Sequence, residues 1–239
     1  MAEGRAARGV IAAAAVLVSM AGAALLVAAG PGTRLGFWTF GTGFQMMRWA
    51  VYAGAVGTAL ALIALVVGSR RGLAALALAL GVVAILPPLL VQQGALDKPP
   101  IHDISSDTDD PPPFVAVAPL RKDARNPVEY GGPEVAAQQR KAYPDIAPAS
   151  LSLPPGQAFA RAEEAARAQG WEIVAVVPGE GRIEATDTTR WFGFKDDVVI
   201  RVRPQGTGSR VDVRSVSRVG RGDVGTNARR IREFLKALR

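Results

Sequence analysis

The chain has 239 residues and a formal net charge of +7, but its charge is unevenly placed. Only six of the 28 Lys and Arg precede residue 93, whereas from residue 97 onward 22 basic residues face 20 acidic ones. The basic excess therefore belongs to arginines at the ends of apolar stretches and gives no reason to expect nucleic acid as a partner. The absence of cysteine excludes disulfides, thiol catalysis and cysteine-held metal.

Three apolar stretches come first, at about 10–29, 49–67 and 73–91, with no charge inside any of them. Each has roughly the 20 residues needed to cross a hydrocarbon core. They predict a transmembrane region over 1–92, with the lipid bilayer as first partner. An odd number of spans places the N-terminus and the rest of the chain on opposite sides. Arg5 and Arg8 share a side with the turn Ser69-Arg70-Arg71-Gly72, against Arg34 and Arg48 on the other. Because positive residues are retained in the cytoplasm, four against two predicts N-terminus in and domain out. That is a multi-pass inner-membrane protein with a periplasmic domain. The rival reading of residues 1–30 is a cleaved signal peptide, which leaves the domain on the same side.

Between the first two spans, residues 36–44 are aromatic and glycine-rich, a composition suited to the headgroup layer, and Trp49 and Tyr52 follow it. Ala50 with Gly54, and Ala53 with Gly57, put small residues one turn apart for close helix packing. The spans carry no ionisable residue inside them, so an ion or proton pathway has no carrier.

Residues 93–148 form a proline-rich segment expected to pack on the following domain. Its start holds the only histidine, His102, and five carboxylates within 14 residues: Asp97, Asp103, Asp107, Asp109 and Asp110. Hard cations bind several such oxygens, so His102, Asp103, Asp107 and Asp109 are the candidate ligands for a divalent cation. The calcium-loop template fails here: started at Asp107, it puts Pro112 where glycine belongs and Ala118 where the final glutamate belongs. Asx-turns around rigid prolines are the simpler account, and no cofactor is expected. Residues 134–141 have the pattern of a short helix.

Residues 149–239 predict a compact α+β domain in the order β-α-β-β-β-β-α. The strands are a short one near Leu151, then 171–177, 182–189, 197–203 and 210–218; the helices are 157–169 and 225–238. Alternation in the last two strands predicts an antiparallel sheet with helices on one face and the other face open. That open face would carry Arg201, Arg203 and Arg214, with Glu184 and Asp212 in reach. The densest polar run, 214–230, leaves a strand, passes a glycine-punctuated loop and enters a helix. Arg214, Ser215, Ser217, Arg218, Arg221, Asp223 and Asn227 there could form an anion site beside free helix N–H groups. Alternatively Asp223 or Thr226 caps the helix and the arginines pair with carboxylates. No phosphate-loop spacing is present.

Asp196-Asp197-Val198 after an aromatic stretch, together with the run from Arg214 to Asn227, resembles the domain-of-unknown-function 1499 family. Ile101-His102-Asp103-Ile104, with Asp107, Thr108, Asp109 and the prolines up to Phe114, resembles the start of the same domain. The resemblance spans roughly 100–238 and suits membrane-bound bacterial members; it implies a boundary and no mechanism. It also implies that the His102 run folds against the sheet, where it could meet the 214–230 run in a cleft of carboxylates and arginines.

The expected function is therefore a membrane-anchored, non-catalytic protein whose domain binds an anionic ligand, or a membrane or periplasmic protein partner. The candidate site is Arg201, Arg203, Arg214, Ser215, Ser217, Arg218, Arg221, Asp223 and Asn227. The alternatives are an envelope hydrolase using the 102–110 run, with metal or without, and a structural subunit of a membrane complex.

Overall fold

The computed structural model describes residues 2–68 and 70–239, with side chains from residue 9 onward. The orientation argument rests partly on the side chains of Arg5 and Arg8 and on Ser69, which lie outside that description. The chain divides into two compact units. The first runs to Gly94 and takes in Arg190–Gly193; the second comprises Ala95–Thr189 and Phe194–Arg239.

The first unit is built on three helices, α1 (Ala2–Arg34), α2 (Phe40–Val66) and α3 (Arg71–Leu96). All three are long and apolar enough to cross a membrane. Helix α2 starts inside the predicted aromatic loop, because the Thr39 hydroxyl accepts the N–H of Thr42 and caps it. The buried positions are small. On α2 they include Ala50, Gly54, Gly57, Ala61 and Ala64, and on α3 Ala74, Ala77, Gly81 and Ala84. Steps of three and four residues keep each set on one face. The backbones come so close that a methyl group added to Gly54 would sit 2.9 Å from the Gly81 carbonyl. Leu17, Val27, Leu62 and Val83 point outward instead. In water this would leave a large apolar surface uncovered; in lipid it is the expected arrangement, since close packing of small residues holds such helices together.

The second unit is a six-stranded antiparallel sheet with two helices across one face and a third helix at its edge. Its strands are β1 (Asp103–Ser105), β2 (Ala149–Leu151), β3 (Glu172–Val177), β4 (Arg182–Thr188), β5 (Lys195–Gln205) and β6 (Gly208–Ser217). The spatial order is β1-β6-β5-β4-β3, with β2 also paired to β6. The helices are α4 (Gly132–Ala142), α5 (Pro155–Ala168) and α6 (Thr226–Ala237). From residue 149 the order of elements is the predicted one. The three-residue β1 has no alternating pattern to betray it, and it pairs Asp103 with Val216 and Ser105 with Arg214.

Period two explains the faces. Ile183, Val198, Ile200, Val211 and Val213 point to the helix side and pack with Phe159, Ile231 and Phe234. Phe234 stacks on Trp171 with ring centroids 5.5 Å apart, an arrangement worth about 1 kcal/mol beyond its buried area. The opposite face is not open. Phe114 and Val117 pack there against Val199 and Val216. The proline-rich chain around them lies over the charged positions of β4, β5 and β6, and long-range polar contacts hold it there.

Candidate functional site

The polar face of the sheet alternates with the apolar one along β4–β6, so it collects Arg182, Glu184, Asp197, Arg201, Arg203, Asp212 and Arg214. A charge removed from water costs several kcal/mol unless it is paired and hydrogen-bonded. Each of these groups is. Glu184 is fully buried; its carboxylate accepts the N–H groups of Val115 (3.0 Å), Ala116 (2.9 Å) and Val117 (2.8 Å) and pairs with Arg182. Asp197, also fully buried, pairs with Arg121 and Arg218 and accepts the Thr186 hydroxyl at 2.8 Å.

Arg214 forms the centre of a third cluster. Its Nε and Nη2 reach the two oxygens of Asp103 at 2.9 and 2.7 Å, and Nη2 also donates to the Val128 carbonyl at 2.7 Å. The guanidinium lies 5.0 Å from the Phe114 ring centre and 5.3 Å from that of Tyr130. Burial pushes the Asp103 carboxyl above its ordinary value, against the opposing pull of Arg214. Burial likewise lifts the Tyr130 phenol, up to about 12. A fourth cluster gathers three arginines around Asp212: Arg201 (3.0 Å), Arg203 (2.9 Å) and Arg210 (2.8 Å). Asp107 receives Arg210 at 2.5 Å, and Asp110 receives Arg203 at 2.8 Å. The Arg203 hydrogen bond holds Asp110 below the usual carboxylate range.

On the helix face the residues expected around the α6 N-terminus are interlocked. Ser215 Oγ lies 2.6 Å from Asn227 Oδ1, and Asn227 Nδ2 donates to Ser217 Oγ at 2.9 Å and to the His102 carbonyl at 3.1 Å. Arg230 binds Asn227 and Ser215 and reaches Asp196 and Asp187, each at 2.7 Å. The Asp223 carboxylate accepts the N–H groups of Gly225 (2.8 Å) and Asn227 (2.6 Å). The chain's own carboxylate thus occupies the free N–H groups that an anion would seek. Burial raises the Asp223 pKa, and those two N–H groups oppose the rise.

The 102–110 and 214–230 runs do meet, but as closed pairs. Asp103 and Arg214 have side chains only 5% and 3% exposed. His102 contributes its carbonyl to Ser217 and Asn227, while Asp109 turns outward to Arg140 at 3.0 Å. Among the described residues no three His, Asp or Glu side chains converge to hold a metal ion. Of the nine expected ligand-binding residues, Arg201, Arg203, Arg214, Ser215, Ser217, Arg218, Asp223 and Asn227 are committed to internal partners. Arg221 is exposed and makes no ion pair among the described residues.

The model of a family described as "Protein of unknown function (DUF1499)" matches residues 103–238. The chain belongs to this family. The matched region begins at the first strand of the sheet and ends with the last helix, so the DUF1499 module includes β1 and the 106–130 covering as well as the elements after residue 149. A comparison with curated proteins finds no match.

Sequence reasoning missed several groups that organise this module: Arg121, Arg182, Arg210, Gln139 and Arg230. Gln139 is the least expected, since its side chain receives the Ser105 N–H at 2.9 Å and donates to the Ser105 carbonyl at 2.6 Å. It therefore behaves as one more paired residue at the sheet edge. For Arg121 and Arg230, which lie outside the strands, no cross-strand pattern existed to read, and Arg182 and Arg210 stand opposite Arg201 and Arg203; the one opposite-charge pair in register is Arg201 with Asp212. Opposite charges at facing positions stabilise each other.

One loop differs from all of this. Residues 218–225 connect β6 to α6, and Val224 there has φ +54° and is 43% exposed. A β-branched residue in the left-handed region costs on the order of 1–3 kcal/mol. Asp223 and Gly225 on either side are held by the cap, which fixes Val224 in that conformation.

Proposed function

We propose that this DUF1499 chain is a multi-pass inner-membrane protein, N-terminus in the cytoplasm and α+β domain in the periplasm, whose domain is a non-catalytic binding module. Its ligand or partner is anionic and lies near the membrane. The observation that carries this reading is the contrast in charge commitment. The arginines and carboxylates of the sheet are used against one another. Lys98, Lys195, Arg221 and Arg229, by contrast, are exposed and make no ion pair among the described residues. Charge kept unpaired at the surface is available to a partner of opposite sign and steers its approach.

The assignment of charge narrows the candidate residues to Arg221 and its neighbours. Arg201, Arg203, Arg214 and Arg218 act as scaffold. A paired carboxylate held by an arginine is a weak general base and a poor metal ligand, which disfavours the hydrolase alternative for the 102–110 run.

Two experiments test the proposal. Alkaline phosphatase fused after Arg239 is active if the domain is periplasmic, and an inactive fusion overturns that placement. Titration calorimetry of the detergent-solubilised full chain with inorganic pyrophosphate gives saturable binding that weakens with added salt. Absence of binding at low ionic strength overturns the anionic reading.

A further inference from the structure

We propose that the loop 218–225, with Lys98 and Lys195, is a bilayer-facing rim that takes the anionic headgroups of the membrane holding the spans. This rests on the reading above and names its ligand class as lipid. The first support is the tether. Helix α3 ends at Leu96 and β1 begins at Asp103, a separation of at most about 25 Å even when fully extended. Lys98 follows the end of the apolar helix by two residues, within about 7 Å.

The second support is what packs on that tether. The Asp223 N–H donates to the Ile101 carbonyl at 3.3 Å. A methyl group added to Gly222 would lie 3.2 Å from Pro100 Cα, and one added to Gly225 would lie 3.6 Å from Lys98 Cε. The glycine loop is therefore pinned to the segment that leaves the last helix. The same end of the sheet carries Lys195, whose carbonyl accepts the Arg218 N–H at 3.0 Å.

The third support is the chemistry displayed. Lys98, Lys195 and Arg221 are exposed, and Val224 is exposed too, in a strained backbone conformation. Asp223, which would oppose an anion, turns inward to cap α6. Asp97 and Asp123 remain exposed in the segments that adjoin the loop, the latter just before Arg125 and Asn126, whose N–H groups donate to the Arg218 carbonyl. Exposed cations and an exposed apolar side chain in the segments that follow the last helix match a headgroup layer, where phosphates meet the first acyl carbons.

The absence of cysteine allows a clean test. Val224→Cys and Thr207→Cys, the latter in the β5–β6 turn at the other end of β6, are labelled with bimane in the full-length chain. Each is placed in nanodiscs carrying nitroxide-headgroup lipid, made of phosphatidylcholine alone or with a quarter phosphatidylglycerol. The expected result is quenching at 224 well above that at 207, rising when phosphatidylglycerol is added. Each cation beside an anionic surface is worth about a fivefold factor in surface occupancy, so Lys98→Gln with Arg221→Gln removes the rise. Quenching at 224 no greater than at 207 overturns the proposal, as does quenching that ignores phosphatidylglycerol. If pyrophosphate still binds while the quenching is absent, the lipid assignment fails and the anionic reading stands. If neither is seen, both fail.

Discussion

In the three long helices the small residues face inward and the large apolar ones outward, whereas in the α+β domain Phe159, Phe234 and the branched side chains of β4–β6 are inside. The domain follows the logic of water, with one face of the sheet against helices and a second, smaller apolar cluster on the other. The helical unit follows the logic of lipid, where burying a leucine gains little and close backbone approach gains more. The two also differ in how they handle polarity. Among the described residues the long helices bury no charged side chain; the domain takes arginines and carboxylates in and satisfies them as a closed network.

The largest effect expected from this comparison is at Glu184. Glu184→Ala leaves Arg182 and three N–H groups buried without their acceptor. Removing one partner of such a pair costs about 3–5 kcal/mol, read as a fall in the unfolding midpoint of the domain in the detergent-solubilised chain. A loss under about 1 kcal/mol, the range of exposed pairs, would mean the network is not closed. Next comes Gly54→Leu. Its added atoms meet the Gly81 carbonyl, Ala84 and Ile85, and overpacking of this kind costs about 1–3 kcal/mol. Unfolding by sodium dodecyl sulfate measures it, with outward-facing Leu62→Ala as the control that changes little.

Arg203→Gln should be milder. Asp212 keeps Arg201 and Arg210, and the Arg203 side chain is 39% exposed, so the loss stays within about 1 kcal/mol. The smallest effect concerns pH. Asp223 has a pKa raised above its ordinary 3.8 by burial, so the folded state holds that proton more tightly than the unfolded one. Its contribution to stability is therefore most favourable at acid pH and declines as pH rises from 3.8 through its folded value. Unfolding midpoints of the wild type minus those of Asp223→Asn should fall across that window. A difference that rises with pH would reverse the sign.

Much of the fold was legible in the sequence because its signals are local. Period two in 197–203 and 210–218, the apolar spacing of 157–169 and the stop at Gly170 needed no distant partner. The covering of the second sheet face left no such trace. Val115–Val117 are placed by a carboxylate nearly seventy positions away, and Arg121 by Asp197 at a separation of 76. Neither contact imposes a period on the chain between 106 and 130. The charged strand positions were visible, and Glu184 and Asp212 were correctly expected on the same face as Arg201, Arg203 and Arg214. What composition could not show is that this face is filled from within. An arginine in a strand reads the same whether it meets solvent or a buried aspartate. The glycine loop had the opposite fate: its turn and its capping aspartate were legible, but not its contact with Pro100 and Lys98, which lie more than a hundred residues earlier.

The most direct test of the account is thermal unfolding of the full chain, with and without inorganic pyrophosphate, in Arg221→Gln and Arg203→Gln side by side. Ligand well above its dissociation constant raises the midpoint by a few degrees. The account predicts that Arg203→Gln keeps this shift, because its arginine belongs to the internal network, and that Arg221→Gln loses most of it. A shift retained in Arg221→Gln and lost in Arg203→Gln would contradict it.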